Sequence, residues 1–184
     1  MAKVAVVYHS GYGHTQRMAQ AVADGAGAEL LAIDADGNLS DAAWASLAVA
    51  DAIIMGSPTY MGSVSWQFKK FADASSKQWF AQAWKDKIAG GFTNSAGFSG
   101  DKLSTLNSMF TLAMQHGMIW ASQGLMPSNT KAATRDDINN VGTYSGAMAQ
   151  SPSDASPAEM SKGDLETARL FGKRIADVAA RFNK

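Results

Sequence analysis

The run Lys3-Val-Ala-Val-Val-Tyr8, followed directly by His9-Ser-Gly-Tyr-Gly-His-Thr15, most constrains what this chain can become. A short β-branched strand pattern gives way to two glycines and two hydroxyls. A helical stripe then follows, with Met18, Val22 and Ala26 on one face. Continuous apolar runs of this length mark strands buried on both faces. The alternation returns along the chain. Residues 29–33, 50–57, 87–94 and 117–124 read as further short strands. Residues 65–75 offer Phe68, Phe71 and Ala72 at helical spacing, and Leu103, Leu106, Phe110 and Ala113 repeat it. Leu165, Ala168, Phe171, Ile175, Val178 and Phe182 form a long closing stripe. Strands alternating with helices predict an α/β domain with a doubly wound, five-stranded parallel sheet, order 2-1-3-4-5, and helices on both faces. Residues 128–162 fit neither period, being rich in Ser, Asn, Gly, Ala and Pro. They are expected to form a long excursion between the last strand and the final helix, functional or poorly ordered. The stretch 149–160 within them reads as mobile or as packing.

The totals narrow the chemistry. One domain over residues 1–184 is long enough to bury roughly two-thirds of its unfolded surface. Sixteen basic residues balance sixteen acidic ones, so no field draws the chain to nucleic acid. There is no cysteine, which excludes disulfides, thiolate catalysis and thiolate-held metals, and no metal site is expected. The opening apolar run is too short to be a signal or spanning segment, so the expected location is cytoplasmic.

Ligands of an open parallel sheet bind beyond the carboxyl ends of its strands. Three such exits combine small, hydroxyl and aromatic residues. After the first strand, Gly11 and Gly13 let an anion approach the backbone, Ser10 and Thr15 add hydroxyls, and a helix directs its positive end at the same point. Tyr12 and His14 complete the loop. It holds no lysine or arginine, and the missing GK[ST] argues against a P-loop. A tightly held phosphate ester suits such neutral donors. Two competitors stand beside it. One is a plain helix cap. The other is a dinucleotide fingerprint, favoured by Asp34 at the end of the second strand but opposed by Gln16 where the third glycine belongs. After the third strand, Ser57, Pro58, Thr59 and Tyr60 give a rigid turn, hydroxyls and a ring able to cover a planar heterocycle, or simply to pack. After the fourth, Thr93, Asn94, Ser95, Ala96, Gly97 and Phe98 offer backbone amides and polar edges.

Together "HSGYGHT", "GSPTYMGS", "FTNSAGFSG" and "LAMQHGM" resemble the flavodoxin-like FMN proteins, above all the WrbA-type NAD(P)H:quinone oxidoreductases, in order along nearly the whole chain. The resemblance implies a flavodoxin-like fold and an FMN whose phosphate sits on residues 10–15. Residues 57–60 and 93–98 would bracket the isoalloxazine ring, and His116 would reach the flavin as the catalytic histidine. It places Tyr12 facing a nicotinamide dinucleotide and Trp79 at the rim of the substrate pocket. Helix capping is the competing role for His116, and surface packing or an oligomer contact the competing role for Trp79. The chain departs from the family pattern at Tyr60, where an arginine is usual, and at Ala96, Gly97 and Phe98, where the family is richer in glycine and threonine. Asn139, Asn140, Gly142, Tyr144 and Gly146 fall on a family segment near the flavin pocket, and a homo-oligomer, dimer or tetramer, is implied, with Tyr144 contributing to the pocket. The implied activity is two-electron reduction of a quinone by NADH or NADPH. A flavodoxin-type electron carrier without turnover and an NADPH-dependent FMN reductase are the alternatives.

Overall fold

The computed structural model describes residues 2–182. The chain runs β1 (Val4–Tyr8), α1 (His14–Ala26), β2 (Glu29–Ala32), α2 (Asp41–Val49), β3 (Ala52–Tyr60), β4 (Ser63–Val64), α3 (Trp66–Ala74), α4 (Ser76–Phe80), β5 (Ile88–Ser95), α5 (Lys102–Gln115), β6 (Ile119–Trp120), β7 (Ala147–Gln150) and α6 (Lys162–Phe182), with a 3-10 turn at Pro157–Glu159. The main sheet is parallel, in the order β2-β1-β3-β5 with β6 and β7 beyond β5, as the sequence predicts. The short β4 pairs antiparallel with the end of β3.

The fifth sheet position differs from expectation. β6 covers only the start of β5, pairing Ile119 with Ile88 and Trp120 with Ala89. The chain then leaves the sheet and re-enters as β7, which pairs Phe92 with Ala147 through Ser95 with Gln150. The excursion therefore lies inside the last strand position rather than after it. Its ordering comes from polar side chains. The buried Asn139 donates to the Leu125 and Thr143 carbonyls, accepts from the Thr143 N–H, and its own N–H donates to Thr167 Oγ1 on α6.

Two cores fill the two faces of the sheet. One joins β1, β3 and β5 to α1 and α6 through Met18, Val22, Phe171 and Ile175. The other joins the same strands to α2, α3 and α5 through Leu47, Phe68, Phe71, Leu106 and Met109, around Trp84. On α5 the buried row is Lys102, Thr105, Leu106, Met109 and Ala113, so Leu103 and Phe110 of the expected stripe face outward. On α6, Phe182 is likewise exposed. No helix among the described residues is long and apolar enough to cross a membrane.

Candidate functional site

The turn between β1 and α1 is built to present backbone N–H groups. Gly13 is the N-cap of α1 with φ +91°, a left-handed value that favours glycine, and no side chain caps the helix. Gly13 N–H donates to Ser10 Oγ at 3.1 Å, which closes the turn and leaves the Ser10 hydroxyl proton free. Among the described residues the N–H groups of Tyr12, His14, Thr15 and Gln16 have no partner, and they converge with the positive end of the helix dipole. A Cβ on Gly11 would stand 2.5 Å from the Tyr60 hydroxyl, and one on Gly13 would stand 2.8 Å from Pro157 Cγ. The loop is thus pressed from two sides by its neighbours.

That loop is one wall of a cavity of about 650 Å3 at the carboxyl edge of the sheet. Ser10, Tyr12, His14 and Thr15 line it from the first exit, Pro58, Thr59 and Tyr60 from the third strand, and Asn94, Ser95 and Ala96 from the fourth. The register that pairs Pro58 with Asn94 sets the last two loops side by side. A further wall comes from Ser151, Pro152, Ser153, Ala155 and Pro157, beyond the end of β7. Sequence reasoning missed this wall. Its one available signal was position, at the exit of β7, and that segment does not read as a strand. His14 ties the two sides together, its Nε2–H donating to the Ala155 carbonyl at 2.8 Å. No carboxylate, ammonium or guanidinium is among the described residues lining the cavity.

Several expected residues stand one layer back. Ser57 is buried, donates its hydroxyl to the Pro58 carbonyl and accepts the Ser65 N–H, so it shapes the turn into α3. Thr93 is buried too, its hydroxyl joined through Thr59 Oγ1 (2.8 Å) to Thr105 Oγ1 (2.7 Å). Gly11 and Gly13 shape the cradle without lining the cavity, and Gly97 stands outside it. Phe98 turns away to a second cavity, also of about 650 Å3, which it shares with Tyr144. The mouth of the main cavity carries exposed rings: Tyr12 is 78% exposed and meets Tyr60 edge to face, with centroids 6.3 Å apart. Burial, with Tyr12 adding to it, raises the Tyr60 pKa, so its hydroxyl stays protonated at neutral pH. Asp34 closes its own turn, its Oδ1 accepting the N–H groups of Asp36 and Asn38.

Residues 3–131, well over half of the chain, match the family described as NADPH-dependent FMN reductase. The chain belongs to that family. Similar proteins include one named flavodoxin FldP from Pseudomonas aeruginosa, 56% identical over the whole of both chains. Another is an NAD(P)H dehydrogenase (quinone) from Trichlorobacter lovleyi, 31% identical with 98% of each chain covered. Among solved structures, a flavodoxin described as WrbA-like, from Agrobacterium tumefaciens, is 56% identical with a TM-score of 0.83, covering 98% of this chain and 99% of that one. The family and the flavodoxin-like, WrbA-type character suggested by the loop motifs are thereby shown, and they agree with the observed sheet.

Two residues singled out through that family resemblance stand away from the cavity. α5 begins beside the carboxyl end of β5, and its 14 residues carry the chain back about 21 Å. His116, its C-cap, therefore lies near the opposite edge of the sheet, where Gly117 accepts the Asp86 N–H and β6 starts alongside Ile88. There it is buried. Ser75 Oγ donates its one proton to the Ala72 carbonyl, so His116 Nε2–H must donate to Ser75. Its ring lies against Trp84, with centroids 4.3 Å apart, and its Nδ1 has no partner among the described residues. Capping and core packing account for this histidine. Trp79, on α4, packs edge to face on Phe80 and does not line the cavity.

Burial lowers the pKa of both His9 and His116 from the ordinary 6.5. The unfolded chain takes up these protons near pH 6.5 and the folded chain resists, so this contribution is fully present above that value and lost as pH falls toward the folded pKa values. Urea denaturation at pH 7.5 and 5.5 is expected to show lower stability at the acid pH. His116→Gln should shrink the difference, and an equal loss in wild type and variant would assign the acid sensitivity elsewhere.

Proposed function

We propose that this chain holds FMN in the cavity at the carboxyl edge of its sheet and uses it to reduce quinones with NADH or NADPH. The observation carrying this reading is a set of uncharged donors, Ser10, Thr15 and the free N–H groups of residues 12 and 14–16, at the start of α1 beside a cavity that no charged side chain lines. The loop fits a phosphate ester because its free N–H groups and the Ser10 hydroxyl are neutral donors, and glycines at 11 and 13, where a Cβ would press on Tyr60 and Pro157, hold the turn in that shape. The relative named NAD(P)H dehydrogenase (quinone) supports the quinone, and the family description, NADPH-dependent FMN reductase, supports the flavin and the nicotinamide donor.

Bound FMN supplies the capacity to accept a hydride from one partner and pass two electrons to another. The chain's part is to hold and orient. Residues 10–15 would grip the phosphate end. Pro58–Tyr60 and Asn94–Ala96 would clasp the ring between them, and Ser151–Pro157 would close the far side. Tyr12 and Tyr60 would wall an open entrance in which flat donor and acceptor molecules stack in turn. Protein loaded with FMN and freed of excess flavin should oxidise NADH or NADPH with benzoquinone at a turnover of about 1 per second or faster. A rate no higher than that of the same FMN free in buffer would refute the assignment.

A second reading is favoured by the 56% identical relative named as a flavodoxin: a one-electron carrier with no turnover of its own. The same assay separates them, because a carrier accepts electrons from a reductase yet leaves NAD(P)H untouched. If reduced FMN leaves the protein during turnover, the flavin is the substrate and the chain is an FMN reductase.

A further inference from the structure

Lys102 opens α5 with its side chain wholly buried, immediately behind the loop that follows β5. Its ammonium donates to Ser95 Oγ at 2.9 Å and to the Gly97 carbonyl. Ser95 lines the main cavity and Lys102 does not. Both partners are neutral, so this buried cation lacks the direct carboxylate contact that normally offsets desolvation. The nearby carboxylate, Asp164 on α6, is engaged elsewhere. Arg135 grips both its oxygens, at 3.1 and 2.5 Å, and the Gln150 N–H donates to it at 2.9 Å. Lys102, Arg135 and Asp164 together leave one net positive charge behind the loop, which Gln150 also anchors by donating to the Ala96 carbonyl.

We propose that Lys102 electrostatically backs the flavin site: across residues 95–97 its fixed positive charge favours the negative charge an isoalloxazine ring gains on reduction. The inference rests on FMN occupying the main cavity. Lys102 acts through the loop, as a positioning and charge-supplying residue. Burial and the Arg135 charge lower its pKa to about 8, against the pull of Asp164, so its charge is present at pH 7 and is lost as pH rises through that value.

The test compares wild type, Lys102→Met and Lys102→Arg at pH 7, measuring the dissociation constant of oxidised FMN and the midpoint potential of the bound flavin. Lys102→Met should leave oxidised FMN binding nearly unchanged and weaken reduced-FMN binding about tenfold, a fall of about 30 mV for a two-electron couple. Lys102→Arg should restore the wild-type potential. An unchanged potential in Lys102→Met overturns the proposal, as does equal weakening of both flavin states, which would make Lys102 a loop staple only. Should Lys102→Met fail to fold, the wild-type potential followed from pH 7 to 10 decides. It should fall more steeply than that of free FMN as the ammonium discharges, and a parallel curve overturns the proposal. Wild-type protein that binds no FMN would instead refute the assignment of the cavity.

Discussion

Gly13→Val is expected to weaken FMN binding about a hundredfold while the chain still folds. At φ +91° the position costs a non-glycine residue about 1–2 kcal/mol, and a β-branched one more. The added Cβ would also press on Pro157, at 2.8 Å from its Cγ. Pro157 has little room to withdraw, because the same segment is tied to α1 through His14 and Ala155. The turn must rotate instead, and its fan of N–H groups rotates with it. A total of about 3 kcal/mol corresponds to roughly two decades of affinity. Calorimetric titration with FMN, beside a thermal melt of the apoprotein, checks both halves of the statement. Unaltered affinity would mean that the phosphate lies somewhere else. Gly11→Ala makes a milder comparison, since its Cβ meets only the hydroxyl end of Tyr60, which can swing away.

Gly172→Val should instead damage the fold. α1 and α6 cross so closely that a Cβ at Gly172 would penetrate the Val22 carbonyl, and one at Gly25 would penetrate the Arg169 carbonyl. Neither obstacle is a movable side chain, so the helices have to separate along a face that includes Met18, Phe171 and Ile175. Overpacking costs typically about 1–3 kcal/mol, with backbone obstacles at the upper end, and the gain in helix propensity over glycine offsets only a few tenths. A net loss of about 3 kcal/mol lowers the melting temperature by roughly 6–12 °C in a chain of this size. Gly25→Ala combined with Gly172→Val should cost less than the sum, because separating the helices once makes room for both. A melting temperature within a degree of wild type would show that the helices can part freely.

The sheet order was legible because β1, β3 and β5 are continuous apolar runs that can only be central strands. The split fifth position was not. β6 is two residues long, and β7 reads Ala-Met-Ala-Gln within a serine- and alanine-rich stretch, so neither carries enough β-branched bulk to announce itself. Residues 151–157 were passed over for the same reason. Small residues and prolines look like an unstructured segment until a strand is known to deliver them to the ligand edge. The helix 41–49 escaped notice because Ala, Trp, Leu and Val occupy its sides without a clear stripe. The turn after β1 was legible as a glycine-shaped entry to a helix, since glycine spacing and the following helix are local features. The placement of His116 was not legible in its motif: about four turns of α5 carry it from the carboxyl end of β5 to the opposite edge of the sheet.

The break between β6 and β7 also bears on how such a chain could be remodelled. Both pieces rest end to end on β5, while Arg135 and Asn139 moor the intervening segment to α6. The surface tip short of those moorings can be lengthened, trimmed or replaced without shifting the residues that face the cavity. New partner recognition could be grafted there while the cavity kept its shape.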